Sequence, residues 1–330
     1  MCFLLCMMFR KYALSIGVFV FVGICLTAVH AQLGLNLLVF ERFIEGGGWI
    51  EIILISSYGA FLSYKMQNVT EAPKWRRRSW LLFSIVFFSQ LILGLVGFER
   101  FLMTGELHLP VPAMIISGPV YRGEITFMVF LFLSTVVLTG PAWCSHFCYF
   151  GGIDNAIAGR KGNVNSWGNK FRTRNTFLFL LILVTIILRI FHVHELYALI
   201  GGISLGLAGV LLIVFLSKQS GKMANCVLFC PVGTLVTYLK YINPFRMYID
   251  TSCTKCGLCS SVCNYDALTG QDLEKGRPGL SCTYCGDCLS VCHNASIKYK
   301  LFNLKPMQAR KVFLFLTVSV HAIFMALAKI

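Results

Sequence analysis

The chain has 330 residues, of which 57% are hydrophobic and 13% are charged. Soluble domains carry about 25% charged residues, so this composition excludes a small soluble enzyme, a disordered chain and a secreted disulfide scaffold. Lys and Arg number 29 against 14 Asp and Glu, which gives a net charge of +15. Such an excess suits either nucleic-acid binding or the cytoplasmic loops of a membrane protein, and the positions of the basic residues decide between the two.

Apolar runs long enough to cross a bilayer occur along most of the chain. About 20 apolar residues span a hydrocarbon core of about 30 Å. On this criterion we predict helical spans near residues 12–31, 80–98, 125–143, 176–193 and 200–217. Weaker segments lie near 49–64, which contains Glu51, and near 312–328; each is either a span or a buried or interfacial helix. The sequence therefore predicts a mainly α, polytopic membrane helix bundle of about six or seven spans.

The basic residues fall on alternate loops of this predicted bundle. Most of them lie in segments 65–79, 144–175 and 218–311, whereas the loops between these segments carry few. Basic loops of bacterial membrane proteins face the cytoplasm. With seven spans this alternation is self-consistent, so we predict a multi-pass protein of a bacterial cytoplasmic (inner) membrane. Topology explains the net charge, and no nucleic-acid partner is expected.

A ten-residue pattern occurs twice at predicted cytoplasmic span ends. Residues 142–151 and 224–233 both read A-x-C-x-x-F-C-x-x-G. On a helix, Cys-x₃-Cys places two thiols one turn apart on the same face. Two such helix ends would bring together the four cysteines Cys144, Cys148, Cys226 and Cys230. We expect them to form an additional iron–sulfur or other metal site, while a redox-active dithiol and simple packing of buried thiols stay open as alternatives.

Eight further cysteines follow in two matching runs. Cys253-x₂-Cys256-x₂-Cys259-x₃-Cys263 is repeated 29 residues later as Cys282-x₂-Cys285-x₂-Cys288-x₃-Cys292. This is the ligand pattern of bacterial ferredoxins with two [4Fe–4S] clusters, in which the fourth cysteine of each run ligates the other cluster. We predict one cluster on Cys253, Cys256, Cys259 and Cys292, and a second on Cys282, Cys285, Cys288 and Cys263. Structural zinc and disulfides fit this spacing and compartment less well.

These patterns divide the chain into three predicted parts. Residues 1–249 form the transmembrane bundle with the two Cys-x₃-Cys motifs. Residues 250–303 form a cytoplasmic, ferredoxin-like α+β domain inserted before the last span. Residues 304–330 form a C-terminal membrane helix.

The histidines suggest a polar group on the outer side of the membrane. His192, His194 and Arg189 cluster at the outer end of the predicted span 176–193. Histidines at span ends more often line interfacial or quinone pockets than hold haem, so haem b is disfavoured. Because a quinone head group needs polar partners beside an apolar channel, these three residues are candidate quinone-side residues.

Taken together, the two Cys-x₃-Cys motifs and the two-cluster segment resemble the NapH/NosR-type polytopic membrane ferredoxins. The resemblance covers roughly residues 80–303 and includes the order and spacing of twelve cysteines. It implies electron transfer between the quinone pool or cytoplasmic carriers and partner redox proteins across the membrane. The chain departs from the pattern at Tyr149, Asn264 and His293, where proline is usual after the cysteine.

The expected function is therefore that of an electron-transfer subunit in an oxidoreductase complex. No catalytic residue is assigned, because the cofactors carry the chemistry. Expected partners are other redox subunits in the membrane or periplasm, quinone or quinol, and a cytoplasmic electron carrier. Two alternatives stay open: a metal-reductase or metallocofactor-assembly factor of the cytochrome-oxidase-assembly type, and a non-catalytic anchoring or sensing subunit.

Overall fold

The protein is described from a computed structural model, which covers residues 2–32, 37–101, 111–125, 127–159 and 166–327. In chain order the α-helices are α1 (Cys2–Gln32), α2 (Val39–Phe43), α3 (Gly47–Gln67), α4 (Ala72–Leu95), α5 (Pro112–Arg122), α6 (Phe127–Thr139), α7 (Trp143–His146), α8 (Tyr149–Ala158), α9 (Lys170–Ile190), α10 (Glu195–Leu212), α11 (Lys218–Ser220), α12 (Pro231–Leu239), α13 (Leu258–Ser261), α14 (Gly270–Glu274) and α15 (Pro306–Leu327). Short 3₁₀ segments occur at Glu99–Phe101, Gly140–Ala142 and Asp287–Val291, and π-helical segments at Ile213–Ser217 and Asn225–Phe229.

Among the described residues, six helical runs are long and apolar enough to cross a membrane. They are Tyr12–Gln32, Ala72–Leu95, Val129–Ala158, Lys170–Ile190, Glu195–Ser220 and Pro306–Leu327. The runs match the five stronger predicted spans and the weaker segment 312–328, so the prediction of a mainly helical, multi-pass membrane protein is confirmed. Segment 49–64 forms helix α3, which is not one of the six.

The chain divides into two compact units, Met1–His108 with Asn303–Ile330, and Leu109–Phe302. In the first unit α3 packs against both α1 and α15. Gly59 permits this close approach, because a Cβ there would lie 3.2 Å from Val18 and 3.3 Å from Ala322. The Glu51 carboxylate on α3 is buried and accepts a hydrogen bond from the Phe40 amide at 2.9 Å. This bond satisfies the charged group that interrupts the apolar run.

The second unit contains both Cys-x₃-Cys motifs and all eight cysteines of the ferredoxin-like segment. Its helix α5 packs against α9 and α10. Gly202 and Gly206 on α10 make room for α5, since a Cβ at these positions would lie 2.7 Å from Met114 and 2.9 Å from Val111. The division of the chain at residues 249 and 303 stays a prediction.

The strands of a two-stranded antiparallel sheet flank the ferredoxin-like cysteine runs along the chain. Strand β1 (Phe245–Ile249) precedes the first run and strand β2 (Ile297–Leu301) follows the second. Phe245 pairs with Leu301 and Ile249 pairs with Ile297. Alternate residues of both strands are buried, which gives the sheet one face against the cysteine-bearing loops. This is the α+β character predicted for the segment.

Asp266 fixes the ferredoxin-like segment to the helices of the same unit. It is 4% exposed and forms ion pairs with Lys170, at 2.8 Å, and with Lys222. The Ser166 hydroxyl donates to the carboxylate at 2.7 Å and the Trp167 amide donates at 3.2 Å. Burial alone would raise the pKa of Asp266, but the hydrogen bonds from Lys170 and Lys222 outweigh it and hold the pKa below its ordinary value. Residues 166–170 and Lys222 are thereby tied to one carboxylate.

Replacing this carboxylate should destabilise the protein at neutral pH. Asp266→Asn leaves two nearly buried ammonium groups without their counter-charge, and breaking such a buried pair costs about 3–5 kcal/mol. Because the folded-state pKa is depressed, the stabilisation is present above the unfolded pKa and is lost as pH falls through the folded pKa. Denaturant unfolding of the full chain in detergent, at pH 7 and below pH 4, measures both effects.

The matched control is Asp250→Asn. Asp250 pairs with Lys298 on the sheet, but about a third of each side chain is exposed, and such surface pairs contribute little. Equal losses of stability in the two variants would contradict the structural role assigned to Asp266.

Candidate functional site

The two cysteine runs of the ferredoxin-like segment have the same backbone conformation. Left-handed residues recur at the 29-residue offset of the cysteines: Lys255 and Tyr284, Gly257 and Gly286, and Asp266 and Ala295. The helix α13 and the 3₁₀ segment Asp287–Val291 follow the two glycines in the same way. The repeat in the sequence is therefore a repeat in the fold. A tight turn of this kind aims successive thiols toward a common point.

The structure groups seven of the eight cysteines across the two runs. The electrostatic neighbours of Cys259 include Cys253, from its own run, and Cys292, from the other. Burial raises the pKa of Cys288, and the nearby Cys285, Cys282 and Cys263 raise it further. Each group thus combines cysteines of one run with the fourth cysteine of the other. Ligation of two [4Fe–4S] clusters by these groups stays a prediction.

Backbone amides point at the sulfur atoms of the fourth cysteines. The Ala267 amide donates to Cys263 Sγ at 3.3 Å, and the Ser296 amide donates to Cys292 Sγ at 3.3 Å. Each donor lies four residues after its cysteine. Hydrogen bonds to cluster-ligating sulfur stabilise the reduced, more negative state, so they are one of the ways in which a protein sets the potential.

The paired motifs do not form continuous helices, which corrects the expectation from their spacing. Helix α7 contains Cys144 but ends at His146, and Cys148 has an extended backbone with φ −74° and ψ 113°. Cys230 has nearly the same backbone, with φ −81° and ψ 114°. Pro231 explains the second break, since a residue before proline is driven out of the α conformation. Each second cysteine is instead the N-cap of the following helix, α8 or α12.

The glycine that closes each motif serves this capping arrangement. The Gly233 amide donates to Cys230 Sγ at 3.3 Å, and the Gly151 amide is a hydrogen-bond donor to Cys148. A Cβ on Gly233 would lie 3.3 Å from the Cys226 carbonyl oxygen, so a larger residue would press on the motif itself. A helix N-terminus also favours the thiolate form of a cysteine.

All four cysteines of the paired motifs line one cleft. Counting its open side, the cleft has a volume of about 470 Å³, and Cys144, Cys148, Cys226 and Cys230 are among its lining residues. Burial raises the pKa of Cys226 and of Cys230. The four cysteines that the repeat pairs therefore line the same cleft. Whether they ligate a cofactor stays a prediction at this point.

Arg174 supplies a buried positive charge to this cleft. Its side chain is 3% exposed and lines the cleft. Its guanidinium donates to the hydroxyls of Thr234 and Thr237, at 3.1 and 3.0 Å, and interacts electrostatically with Cys230, Cys144 and Cys226. A cation held beside three thiols offsets the negative charge of their thiolates. The sequence analysis did not identify Arg174, because in the sequence it is one of several basic residues that precede an apolar run.

Asp154 is a second residue that the sequence reasoning missed. Its carboxylate is fully buried and accepts a hydrogen bond from the Cys226 amide at 3.0 Å. It lies on α8, the helix that Cys148 caps, so it connects the second motif to the helix of the first. In the sequence, the one feature that could have indicated its role is an acidic residue shortly after the first motif.

The three residues that follow Cys263 join the ferredoxin-like segment to the paired motifs. The Met223 amide donates to the Asn264 carbonyl at 3.1 Å, and the Tyr265 hydroxyl donates to the Cys144 carbonyl at 2.7 Å. Asp266 forms the buried ion pairs described above. These contacts place Cys263 and the residues after it beside the four-cysteine cleft, and Cys282 also lines that cleft.

Lys240 lies next to the predicted second cluster. Its ammonium group donates to the Cys282 carbonyl at 3.3 Å and lies 4.9 Å from the centre of the Tyr284 ring. Burial lowers the pKa of Lys240, and the nearby Cys282 thiol opposes that shift. In turn, burial raises the pKa of Cys282 and Lys240 counteracts the rise. A buried cation therefore accompanies this thiol as Arg174 accompanies the paired motifs.

The predicted quinone-side residues lie at the junction of α9 and α10. His194 caps α10 by accepting a hydrogen bond from the Leu196 amide at 3.2 Å. Arg189 donates to the Val120 carbonyl at 3.2 Å. His192 is exposed and has a left-handed backbone. Two of the three thus have structural contacts of their own, and quinone contact at this place stays a prediction.

The four-cysteine cleft also contains buried polar atoms suited to an anionic cofactor. Among the described residues, Trp143 Nε1 and Thr283 Oγ1 are buried without a hydrogen-bond partner, and both residues line the cleft. An indole N–H and a hydroxyl can donate to the sulfur atoms of a cluster. With four thiols, the capping amides and Arg174, the residues present fit an iron–sulfur group. In the described part of the chain, no three His, Cys, Asp or Glu side chains converge on a site for a single metal ion.

Comparison with known proteins adds a family match at this cleft. A family model described as a 4Fe-4S binding domain matches residues 124–170 and 201–244, which contain the two Cys-x₃-Cys motifs. No curated protein and no solved structure matches the chain. The match and the six apolar helices define the class of the protein: an iron–sulfur protein of electron transport with membrane-spanning helices. They fit a membrane ferredoxin.

Removal of the Arg174 charge should lower the reduction potential of an iron–sulfur centre in this cleft. Reduction adds negative charge, which the guanidinium stabilises, so Arg174→Gln disfavours the reduced state. We expect the midpoint potential to fall by on the order of 60 mV, a tenfold change in a one-electron equilibrium. Redox titration followed by EPR measures the shift. Arg172→Gln is the control, because Arg172 is exposed on the same helix; an equal shift there would contradict a local effect.

Proposed function

We propose that the protein transfers electrons between [4Fe–4S] clusters in its ferredoxin-like segment and the quinone pool or a redox partner in the membrane or periplasm. The observation that carries the proposal is the four-cysteine cleft, which belongs to the 4Fe-4S family match and shares Cys282 with the predicted second cluster. In this proposal the cleft holds a third [4Fe–4S] cluster. The chain then contains three centres in sequence rather than two.

The burial of the cysteines supports an order for these centres. Cys256 is exposed, so the first centre is accessible to a carrier from solution. Cys282 and Cys288 of the second centre are buried. The cleft of the paired motifs lies on the helices of candidate membrane spans, including Lys170–Ile190. Electrons therefore pass between a surface centre and a centre at the helices, with the second centre between them.

The protein residues supply position and electrostatics to these centres. Each bound cluster accepts or gives up one electron at a time. The eight cysteines of the runs hold the first two, and Cys144, Cys148, Cys226 and Cys230 hold the third. Arg174 and Lys240 stabilise the added negative charge, and the buried surroundings exclude water. No nucleophile or general base is needed for this role.

Iron and acid-labile sulfide analysis tests the number and the location of the centres. Cys230→Ser should lose about four iron atoms per chain and one EPR signal, because three cysteines hold a [4Fe–4S] cluster less tightly than four. Cys288→Ser should lose a different signal by the same reasoning. Cys25→Ser is the control: this cysteine lies on α1 outside both groups, so iron content should not change.

Other outcomes of this experiment would reject the proposal. Loss of copper rather than iron and sulfide from Cys230→Ser would favour a metal-reductase or assembly factor. Clusters that are present but that no quinol or reduced carrier can reduce would favour an anchoring or sensing subunit. Full iron content in Cys230→Ser would leave the paired motifs without a cluster.

We further propose that the protein lies in a bacterial inner membrane with the ferredoxin-like segment in the cytoplasm. The alternation of basic loops supports this orientation, but it requires α3 to cross the membrane. The buried and hydrogen-bonded Glu51 makes α3 compatible with such a position.

Reporter fusions in bacteria test the orientation at α3. Green fluorescent protein should fluoresce when fused after Asn68 or Gly279, and alkaline phosphatase should be active when fused after Gly46. The reason is that α3 separates Gly46 from Asn68. Phosphatase activity at Asn68 would show that α3 does not cross, and activity at Gly279 would place the ferredoxin-like segment outside.

A further inference from the structure

A second cleft opens on the other side of Cys230. Its volume is about 520 Å³, counting its open side, and residues of α5, α8, α9 and α10 line it together with the second motif. The walls are apolar and aromatic, with Phe150, Phe177 and Phe229 among them. Gly206 and Gly209 of α10 also line it, and a Cβ on Gly206 would lie 2.9 Å from Val111 across the cleft wall.

Asn225 is the polar group of this cleft. The residue is 9% exposed and lines the cleft, and its carboxamide has no hydrogen-bond partner among the described residues. The carboxamide is therefore accessible from the cleft rather than enclosed, and a polar group that faces apolar walls indicates a ligand with a polar atom at that point. Apart from Asn225 and Cys230, the lining side chains are apolar, so the cleft offers nothing to a charged group.

The internal repeat shows that this space is specific to the second motif. Trp143 is the equivalent of Asn225 in the first motif. Its indole packs edge-on against Phe132, with ring centres 4.9 Å apart. A large aromatic side chain thus occupies the position where the second motif has a short carboxamide facing a cleft.

The cleft lies next to the proposed third centre. Cys230 lines both this cleft and the four-cysteine cleft, and Asn225 immediately precedes Cys226. The walls from α9 and α10 belong to candidate membrane spans, Lys170–Ile190 and Glu195–Ser220. A molecule in this cleft would therefore come from the lipid phase and lie beside a redox centre.

Resting on the proposed function, we propose that this cleft binds the head group of a lipid-soluble quinone. An aromatic, apolar cleft with one unpaired amide matches a flat ring that carries carbonyl oxygens and an apolar tail. A lipid acyl chain would fill the space but would leave the Asn225 carboxamide unpaired. The site differs from the predicted one at His192, His194 and Arg189, because Gly206 lies about 16 Å along α10 from Glu195.

Photolabelling of the full chain in quinone-free nanodiscs locates the site. The probe is a decyl azidobenzoquinone, and we expect crosslinks within residues 205–212 or 225–231. Excess decylubiquinone should suppress these crosslinks, whereas decylbenzene, which has the tail but no carbonyl groups, should not. Crosslinks at residues 189–195 instead, or equal competition by decylbenzene, would overturn the proposal.

Two variants test the residues that carry the inference. Gly209→Leu should reduce crosslinking about tenfold by filling the cleft. A Cβ at this position meets Asn225 Oδ1 at 3.5 Å and Phe150 at 3.6 Å, which are ordinary contacts. Gly201→Leu is the matched control on the same helix, because a Cβ there meets nothing within 4 Å. Asn225→Leu should weaken decylubiquinone competition about three- to tenfold through the lost hydrogen bond.

The iron content of every sample separates this inference from the proposed function. Normal iron and EPR signals without the expected crosslinks would overturn the quinone site and leave the electron-transfer function intact. Crosslinks at the cleft in a protein without iron–sulfur signals would support the site and reject the proposed centres. Unchanged crosslinking in Gly209→Leu, together with unchanged decylubiquinone competition in Asn225→Leu, would overturn the site even if the wild-type crosslinks map as expected.

Discussion

The buried ion pairs of Asp266 with Lys170 and Lys222 determine where the ferredoxin-like segment meets the helices that carry the paired motifs. Asp266 lies three residues after Cys263, so a predicted ligand and an anchoring ion pair share one short loop. Two charges that neutralise a carboxylate in a buried place require a defined geometry, because any displacement leaves a charge unpaired. The contacts of Asn264 and Tyr265 follow from the same placement. The closeness of Cys282 to the four-cysteine cleft depends on this anchor.

Two internal repeats shape the part of the chain that carries the paired motifs and the ferredoxin-like runs. The two copies of each repeat are not identical. In the ferredoxin-like segment the left-handed backbone positions repeat with the cysteines. In the paired motifs both second cysteines cap a helix with nearly the same backbone angles. The copies also differ: Cys256 is exposed, and Asn225 stands at a cleft where the other motif has Trp143.

Positive charge has two separate roles in this chain. Most basic residues lie in the loops whose alternation predicts the topology. Arg174 and Lys240 instead lie beside buried thiols, where the low dielectric strengthens their interaction with a negative charge. Composition counts the two groups together. Only the positions of the side chains separate the charges of the loops from the two that lie beside buried thiols.

The sequence by itself determined the class of protein, and its cysteine spacing predicted the cluster ligands. Apolar runs of about 20 residues are sufficient to predict helical spans. In lipid the backbone N–H and C=O groups cannot bond to water, and a helix pairs them within the segment. Cysteine spacing is sufficient to predict cluster ligands, because the turn geometry around a cluster is local. The sequence also showed that Cys144, Cys148, Cys226 and Cys230 belong together, although it suggested regular helices where the second cysteines are N-caps.

Only the tertiary structure decided which residues surround those cysteines. Arg174 and Asp154 reach the paired motifs from other helices, and no local pattern marks them as different from other charged residues. The cleft at Asn225 exists because α5, α9 and α10 pack around glycines, which depends on contacts between residues far apart in the chain. Ligand identity is a short-range property of the sequence, whereas the charge and the space around a ligand are set by long-range packing.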